Sequence, residues 1–343
     1  LWSAPPGELS AALGLRGAEA REALRARRAI DTLALRAELA RAGVGFVGRN
    51  EPAFPARLAA LYDPPAGLFA RGALDRALAA LARGPVVAVV GSRRASPVGR
   101  ATAHALAGAL AERGATVVSG LAVGIDASAH AGALAGGGVT VAFAGCGVDV
   151  PYPRRNRTLA ERITLDGAVL SEYWPGTRPA PWRFPARNRL VAGVADAVVV
   201  VEAGSRSGSL ITAEFALEAG RAVLAVPGLA GSDAVAGCHA LLRDGAALCE
   251  TVDDVVAELP AVSWRDPAPL LPAGDRPLLE GLPGRVAARL ASGPRSADHL
   301  ATDLGIPPSE LAAALALLEL EGMVVRGEGD RWWAAPSAAS AAG

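Results

Sequence analysis

The stretch Val86-Val-Ala-Val-Val-Gly-Ser-Arg-Arg-Ala-Ser-Pro97 decides the fold. Five apolar residues end on a glycine, and a helical pattern starts at Pro97. Val-rich runs without polar alternation suit strands buried on both faces, as in parallel sheets covered by helices. Ser96 is placed to cap the helix and Pro97 to be its first residue, which should leave N–H groups aimed at the loop. A glycine loop with two arginines at a helix N-terminus has the makings of a phosphate cradle. It is neither GxGxxG nor a Walker A motif, since no GK[ST] follows. The plain alternative is an ordinary tight turn.

Similar runs recur at Thr116–Ser119, Val139–Ala144, Ala168–Leu170, Ala197–Val201 and Ala222–Val226, with helical periods between them. Right-handed βαβ crossovers follow, and the segment from Pro85 to Leu259 reads as a doubly wound α/β domain. Before it, residues 1–48 read as short Ala/Leu/Arg helices broken by Gly14, Gly17, Gly43 and Gly45. A connector rich in proline and turns leads from there to Pro85. After it, prolines at 260, 267, 269, 272 and 277 mark a linker over 260–279. Three helical stretches (about 282–291, 296–304 and 308–320), then Met323-Val-Val-Arg326, a turn and Arg331-Trp-Trp333, predict a winged helix over 280–336 and a loose tail at 337–343.

With 343 residues the chain is long enough for two or three such units, and 51% hydrophobic residues are ample for their cores. No apolar stretch reaches 18 residues and the start carries no signal-peptide pattern, so a soluble cytoplasmic protein is expected. Cys146, Cys238 and Cys249 form no CxxC pair and have no metal-ligand spacing, which argues against a zinc site and a disulfide framework.

The net charge is zero and all 34 basic residues are arginine. Every phosphate contact must therefore use a guanidinium or a backbone N–H. The charge is uneven: from Pro151 to Leu190 there are eight arginines against three acids. A locally basic segment can bind a polyanion within a neutral protein. Tyr173, Trp174, Trp182 and Phe184 fall in the same segment, and rings interleaved with arginines offer single-stranded nucleic acid both stacking faces and charge. The alternative use of these rings is packing the loop onto the sheet.

Ligands of open α/β sheets sit beyond the carboxyl ends of the strands. Besides the loop at 91–97, Val201 is followed by Glu202-Ala-Gly-Ser-Arg-Ser-Gly-Ser209 and a helix, a second Gly/Ser turn at a helix N-terminus. Asp126 and His130, at i and i+4, share a helix face. Without a nucleophile or metal cluster beside them they read as a helix-start carboxylate and a packed histidine rather than an acid–base pair.

The strings GSRR (91–94), SGLAVGIDASAH (119–130), YPRRN (152–156), SEYWPGT (171–177), FPARNRLVAG (184–193), VVEAGSRSGSLITA (200–213) and AVPG (225–228) occur in order. Together, over about residues 50–259, they closely resemble the DNA-processing protein A family. The resemblance implies an extended Rossmann-like doubly wound sheet over 50–259, a small helical N-terminal region and a C-terminal winged helix. It implies single-stranded DNA binding without catalysis or cofactor, transfer of the strand to RecA recombinase in natural transformation or recombination, a homodimer, and single-strand-binding protein as a further partner. Carried to this sequence, the DNA-binding candidates are Gly91, Ser92, Arg93 and Arg94, then Ser119 and Gly120, then Arg154 and Arg155. Arg187, Asn188 and Arg189 follow, then Ser207, Gly208 and Ser209. Val98 departs from the expected aromatic, His239 from the usual asparagine, and arginine stands where many members carry lysine.

Two rivals come from other classes. A phosphoribohydrolase of the same superfold would hold a nucleotide monophosphate over such loops, but its PGGxGT-x-x-E loop is absent and only Glu214 remains as an acid. A transcription factor would read DNA through the winged helix. Its candidate recognition helix, Pro308–Glu321, carries Glu310, Glu319 and Glu321 and no basic residue, which suits a protein-interaction module better than a DNA groove.

Overall fold

A computed structural model describes residues 16–266, 281–291, 293–320, 323–327 and 331–334, with isolated positions before 16. Each of the six apolar runs is a strand of one nine-stranded sheet, to within a residue or two at the ends. Along β3 (defined below) Val86, Ala88 and Val90 enter one core while Val87 and Val89 enter the other. This period of two, with both faces apolar, is why the run shows no polar alternation.

The chain compacts into two units, residues 1–46 and 47–343. The first holds α1 (Gly17–Ala29) and α2 (Thr32–Arg41), whose start is capped by Asp31 accepting from the N–H groups of Leu33 and Ala34. Residues 45–48, expected to be helical, are strand β1 (Gly45–Gly48).

The second unit continues with α3 (Ala56–Ala59), β2 (Gly67–Gly72), α4 (Leu74–Arg83), β3 (Val86–Val90), α5 (Pro97–Glu112), β4 (Thr116–Ser119), α6 (Ile125–Ala135) and β5 (Thr140–Phe143). Next come α7 (Arg157–Asp166), β6 (Ala168–Ser171), α8 (Arg183–Val194), β7 (Ala197–Val200), α9 (Gly208–Glu218), β8 (Ala222–Ala225), α10 (Ala236–Arg243), β9 (Ala247–Leu248) and α11 (Val252–Glu258). The order across the sheet is β1-β2-β6-β5-β4-β3-β7-β8-β9, parallel from β6 to β9, with β2 antiparallel to β6. Counted from β3, the stretch from β5 to β9 is the doubly wound 3-2-1-4-5-6 order, extended by β6, β2 and β1. Its switch point lies between β3 and β7, where a crevice opens at the carboxyl ends of the strands.

The connector before Pro85 is more regular than its prolines suggest. It contains β2, and α4 buries Ala77, Leu78 and Leu81. Proline clusters at 52–55 and 64–65 only punctuate it. The proline-rich stretch after Leu259 begins as ordered chain: the Trp264 indole donates to the Leu259 carbonyl and the Arg265 N–H to the Arg113 carbonyl. The rest of the expected linker, and the tail at 337–343, lie outside the described residues.

The C-terminal winged helix has α12 (Leu282–Ala291), β10 (Arg295–Ser296), α13 (Ala297–Leu304), α14 (Pro308–Leu320), β11 (Val324–Arg326) and β12 (Arg331–Ala334). Its strands pair antiparallel in the order β10-β12-β11 around a core of Val286, Leu290, Leu300, Leu311, Leu318 and Trp332. No helix among the described residues is long and apolar enough to cross a membrane.

Candidate nucleic-acid interface

The loops after β3 and β7 lie side by side because those strands are neighbours. Ser96 caps α5 as expected, its hydroxyl accepting from the Gly99 N–H at 2.9 Å. The remaining expectation, free N–H groups aimed at the loop, is corrected. The buried Glu202 carboxylate accepts from the Ser96 N–H at 3.0 and 3.2 Å and from the Ser96 hydroxyl at 2.5 Å. The Glu202 carbonyl also accepts from the Ser92 N–H at 2.6 Å. An internal anion thus fills the positive end of α5, and a Cβ at position 99 would push against its carboxylate, which glycine avoids. Glu202→Ala would leave the half-buried Ser96 N–H and hydroxyl without their acceptor. It is expected to cost about 2–3 kcal/mol, read as a fall in the thermal midpoint.

With that seat taken, an incoming anion is left with the second helix N-terminus and the arginines. Ser207 caps α9, its hydroxyl 3.4 Å from the Ser209 N–H and 2.8 Å from the Ser209 hydroxyl. The end of α9 faces a cleft of about 770 Å³ at the switch point. Arg93, Arg94, Arg187 and Arg206 line it against Asp126 and Asp233, so the cleft is basic although the chain is neutral.

Arg187 sits in the floor, 3% exposed, donating to the Phe143 carbonyl at 2.8 Å. Its guanidinium crosses Gly120, where a Cβ would fall on it; the glycine admits the arginine. Burial pulls Arg187 down to about 10, and the neighbouring Asp126 carboxylate opposes the shift. Burial pushes the Asp126 carboxyl above its ordinary range, and Arg187 restores it only in part. Asp126 also accepts from the Ala122 N–H at 3.2 Å. His130, its partner in spacing, lies away from the cleft, fully buried with Nδ1 2.7 Å from the Thr140 hydroxyl.

Of the rings in the aromatic–arginine segment, only Phe184 lines the cleft. Tyr152 stacks on it at 5.3 Å, and the Arg93 guanidinium lies 5.3 Å from its centroid. Trp174 packs edge-on against Phe69, and Arg183 lies over Tyr173 and Trp182. Trp174 thus packs toward the sheet, while Tyr173 and Trp182 meet each other edge-on; Trp174 and Trp182 stay more than half exposed.

The cleft gathers Gly91, Ser92, Arg93, Arg94, Gly120, Arg187, Asn188, Ser207, Gly208 and Ser209 from four separate stretches. Asn188 spans two of them, its amide donating to the Gly208 carbonyl at 3.2 Å. Four candidates fall outside. Ser119 is fully buried and donates to the Val89 carbonyl, stapling β4 to β3. Arg189 makes a two-pronged bond to Glu172 at 2.9 and 2.6 Å and reaches Asp63, so its charge is spent inside the fold. Arg154 and Arg155 lie exposed on a 3₁₀ turn outside the cleft lining. Sequence reasoning named Phe184 only as one of four candidate stacking rings and set Asp126 aside as a helix-start carboxylate; it did not single out Asp233 or Arg206, which also line the cleft. Arg206 had a usable signal, since it stands within the Gly/Ser turn that was quoted.

Glu214 is exposed on α9 and absent from the cleft wall. Among the described residues no group of three His, Cys, Asp or Glu side chains is gathered for a metal. Burial pushes the thiols of Cys146 and Cys238 up to about 11 and that of Cys249 up to about 12, leaving poor nucleophiles.

The family model of DNA recombination-mediator protein A matches residues 45–260, and that of the DprA winged helix domain matches residues 267–330. The putative DNA processing protein DprA of Mycobacterium tuberculosis is 45% identical over 253 residues, 71% of this chain. The chain spans 63% of the length of that relative. The DNA processing protein DprA of Streptococcus pneumoniae is 47% identical over 205 residues, 60% of this chain and 71% of its own. The X-ray structure of the Streptococcus pneumoniae protein covers 75% of this chain and 87% of its own, with a TM-score of 0.67 and 39% identity. A Helicobacter pylori DNA processing protein A structure, described for its single-stranded DNA binding mode, covers 64% and 96%, with a TM-score of 0.55 and 30% identity. Matched over most of its length by the model of that family, and built with an α/β sheet and a winged helix, this chain belongs to the DNA recombination-mediator protein A family.

Proposed function

We propose that the chain binds single-stranded DNA without catalysis in the cleft at the β3–β7 switch point, and delivers the strand to RecA recombinase. The observation that carries the reading is the convergence of four arginines, the N-terminus of α9 and the Phe184 ring on one concave site. Guanidinium groups and a helix end hold phosphates, and the ring offers a base a stacking face. Proteins that read duplex DNA present a protruding helix or ribbon to a groove, whereas this site is recessed between loops. The binding mode of the Helicobacter pylori relative supports the same reading. Delivery to RecA, homodimer formation and a cytoplasmic site of action rest on family membership. The phosphoribohydrolase alternative loses its remaining acid, because Glu214 faces solvent away from the cleft.

The test is a fluorescence-anisotropy titration of labelled oligo-dT, a duplex and AMP at several salt concentrations. Oligo-dT should bind more tightly than duplex at matched salt, affinity should fall steeply with salt, and AMP should not be turned over. Equal affinity for duplex and single strand, or repeated release of base from AMP, would overturn the proposal. Arg93→Ala should weaken oligo-dT binding by about 1.5–3 kcal/mol and reduce the salt slope by roughly one unit. A variant that melts normally and binds like the parent would remove Arg93 from the site.

A further inference from the structure

A second cavity, of about 250 Å³, opens beside the cleft between the loop at 147–153 and helix α7. The two share a wall. Leu121 lines the second cavity and Ala122 the cleft, and the buried Asn156 amide donates to both their carbonyls, at 2.9 and 3.0 Å. Tyr152 lines the second cavity and stacks at an interplanar angle of 29° on Phe184, which lines the cleft. The Tyr152–Phe184 pair thus has one ring in each cavity.

The chemistry of the two cavities differs. In the second, Arg157 is paired with Glu161 at 3.0 Å, and Asp149 accepts from the Gly176 N–H at 2.7 and 2.9 Å. Its two arginines, Arg71 and Arg157, are matched in number by Asp149 and Glu161, and Val148, Val150 and Ala160 supply apolar wall. A phosphate finds little there, whereas a flat neutral ring finds apolar walls and a tyrosine. The volume is below the roughly 300–1,000 Å³ of sites that enclose a drug-sized ligand, so it admits one base rather than a whole nucleotide with its phosphate.

We propose that this cavity is a nucleobase pocket for the strand whose phosphates lie in the arginine-lined cleft, a proposal that rests on the single-stranded DNA reading above. The strand would place its sugar–phosphate chain along Arg93 and turn one base across the Tyr152–Phe184 pair.

The experiment uses the full chain and two fluorescein-labelled probes of equal length, oligo-dT and an abasic deoxyribose-phosphate strand. The parent should prefer oligo-dT. Ala160→Leu, which fills the pocket from α7, should weaken oligo-dT binding about 5- to 50-fold and leave abasic binding unchanged. Tyr152→Leu should do the same by removing the stacking face, with thermal melting as the control for folding in both. Arg93→Ala should weaken both probes. If both pocket variants bind oligo-dT like the parent, or weaken the two probes equally, the nucleobase pocket is wrong while DNA binding in the cleft stands. If the parent binds neither probe, the single-stranded DNA reading fails and this proposal falls with it.

Discussion

Acidification from pH 7 to pH 4 is expected to remove about 3 kcal/mol of stability through His130 alone. The ring is fully buried between α6 and the sheet. The Thr140 hydroxyl donates to the Val117 carbonyl, so its lone pair is left to accept from Nδ1–H of a neutral imidazole. Nε2 has no hydrogen-bond partner among the described residues. Burial, with Arg187 adding to it, pulls the group down to about 3 from an ordinary 6.5. Between those values the unfolded chain holds a proton that the native state refuses. Stability is therefore complete above about pH 6.5 and drains away as the pH falls toward 3. Urea unfolding at pH 7 and pH 4 measures it. His130→Asn keeps an N–H near Nδ1 and cannot titrate, so its difference between the two pH values should shrink by about that amount. An unchanged difference would place the acid sensitivity elsewhere.

Arg187→Met should be among the most damaging single changes in the cleft, at about 3–5 kcal/mol. It leaves the Phe143 carbonyl without its donor and the buried Asp126 without the cation that holds its charge. The double variant Arg187→Met/Asp126→Asn should recover much of the loss, because it removes the stranded charge as well. In the single variant Asp126 rises further and folds protonated more readily than it unfolds. Native molecules then hold the extra proton, so the defect should deepen as the pH rises above the ordinary carboxylate range. Chemical denaturation of the parent and the two variants at pH 5 and pH 8 decides it. A double variant no better than the single one would show that Asp126 and Arg187 act independently.

The strands were legible because Val86–Val90 and its counterparts carry their own signal: short Val-rich runs without polar alternation, closed by a glycine after Val90, Ser119 and Ala144. β2 and β9 were not. Gly67–Gly72 mixes a buried first half with an exposed Arg-Gly end, and β9 is two residues long. At the site, both loops and the start of α5 could be read locally. What occupies that start could not, because Glu202 lies 106 positions from Ser96 and only the β3–β7 pairing joins them. The same limit explains Arg189. FPARNR offers two arginines two residues apart, and tertiary partners alone send Arg187 into the cleft floor and Arg189 to Glu172.

The clasp between Glu202 and Ser96 bears on how fast a strand could come and go. The two loops are fastened before any ligand arrives, so binding would spend little free energy on ordering the protein. Encounter would then be set by diffusion and by the attraction of the arginines, and would slow as salt screens them. Substitutions in the cleft wall should appear mainly as shorter residence times, with the association rate responding chiefly to charge.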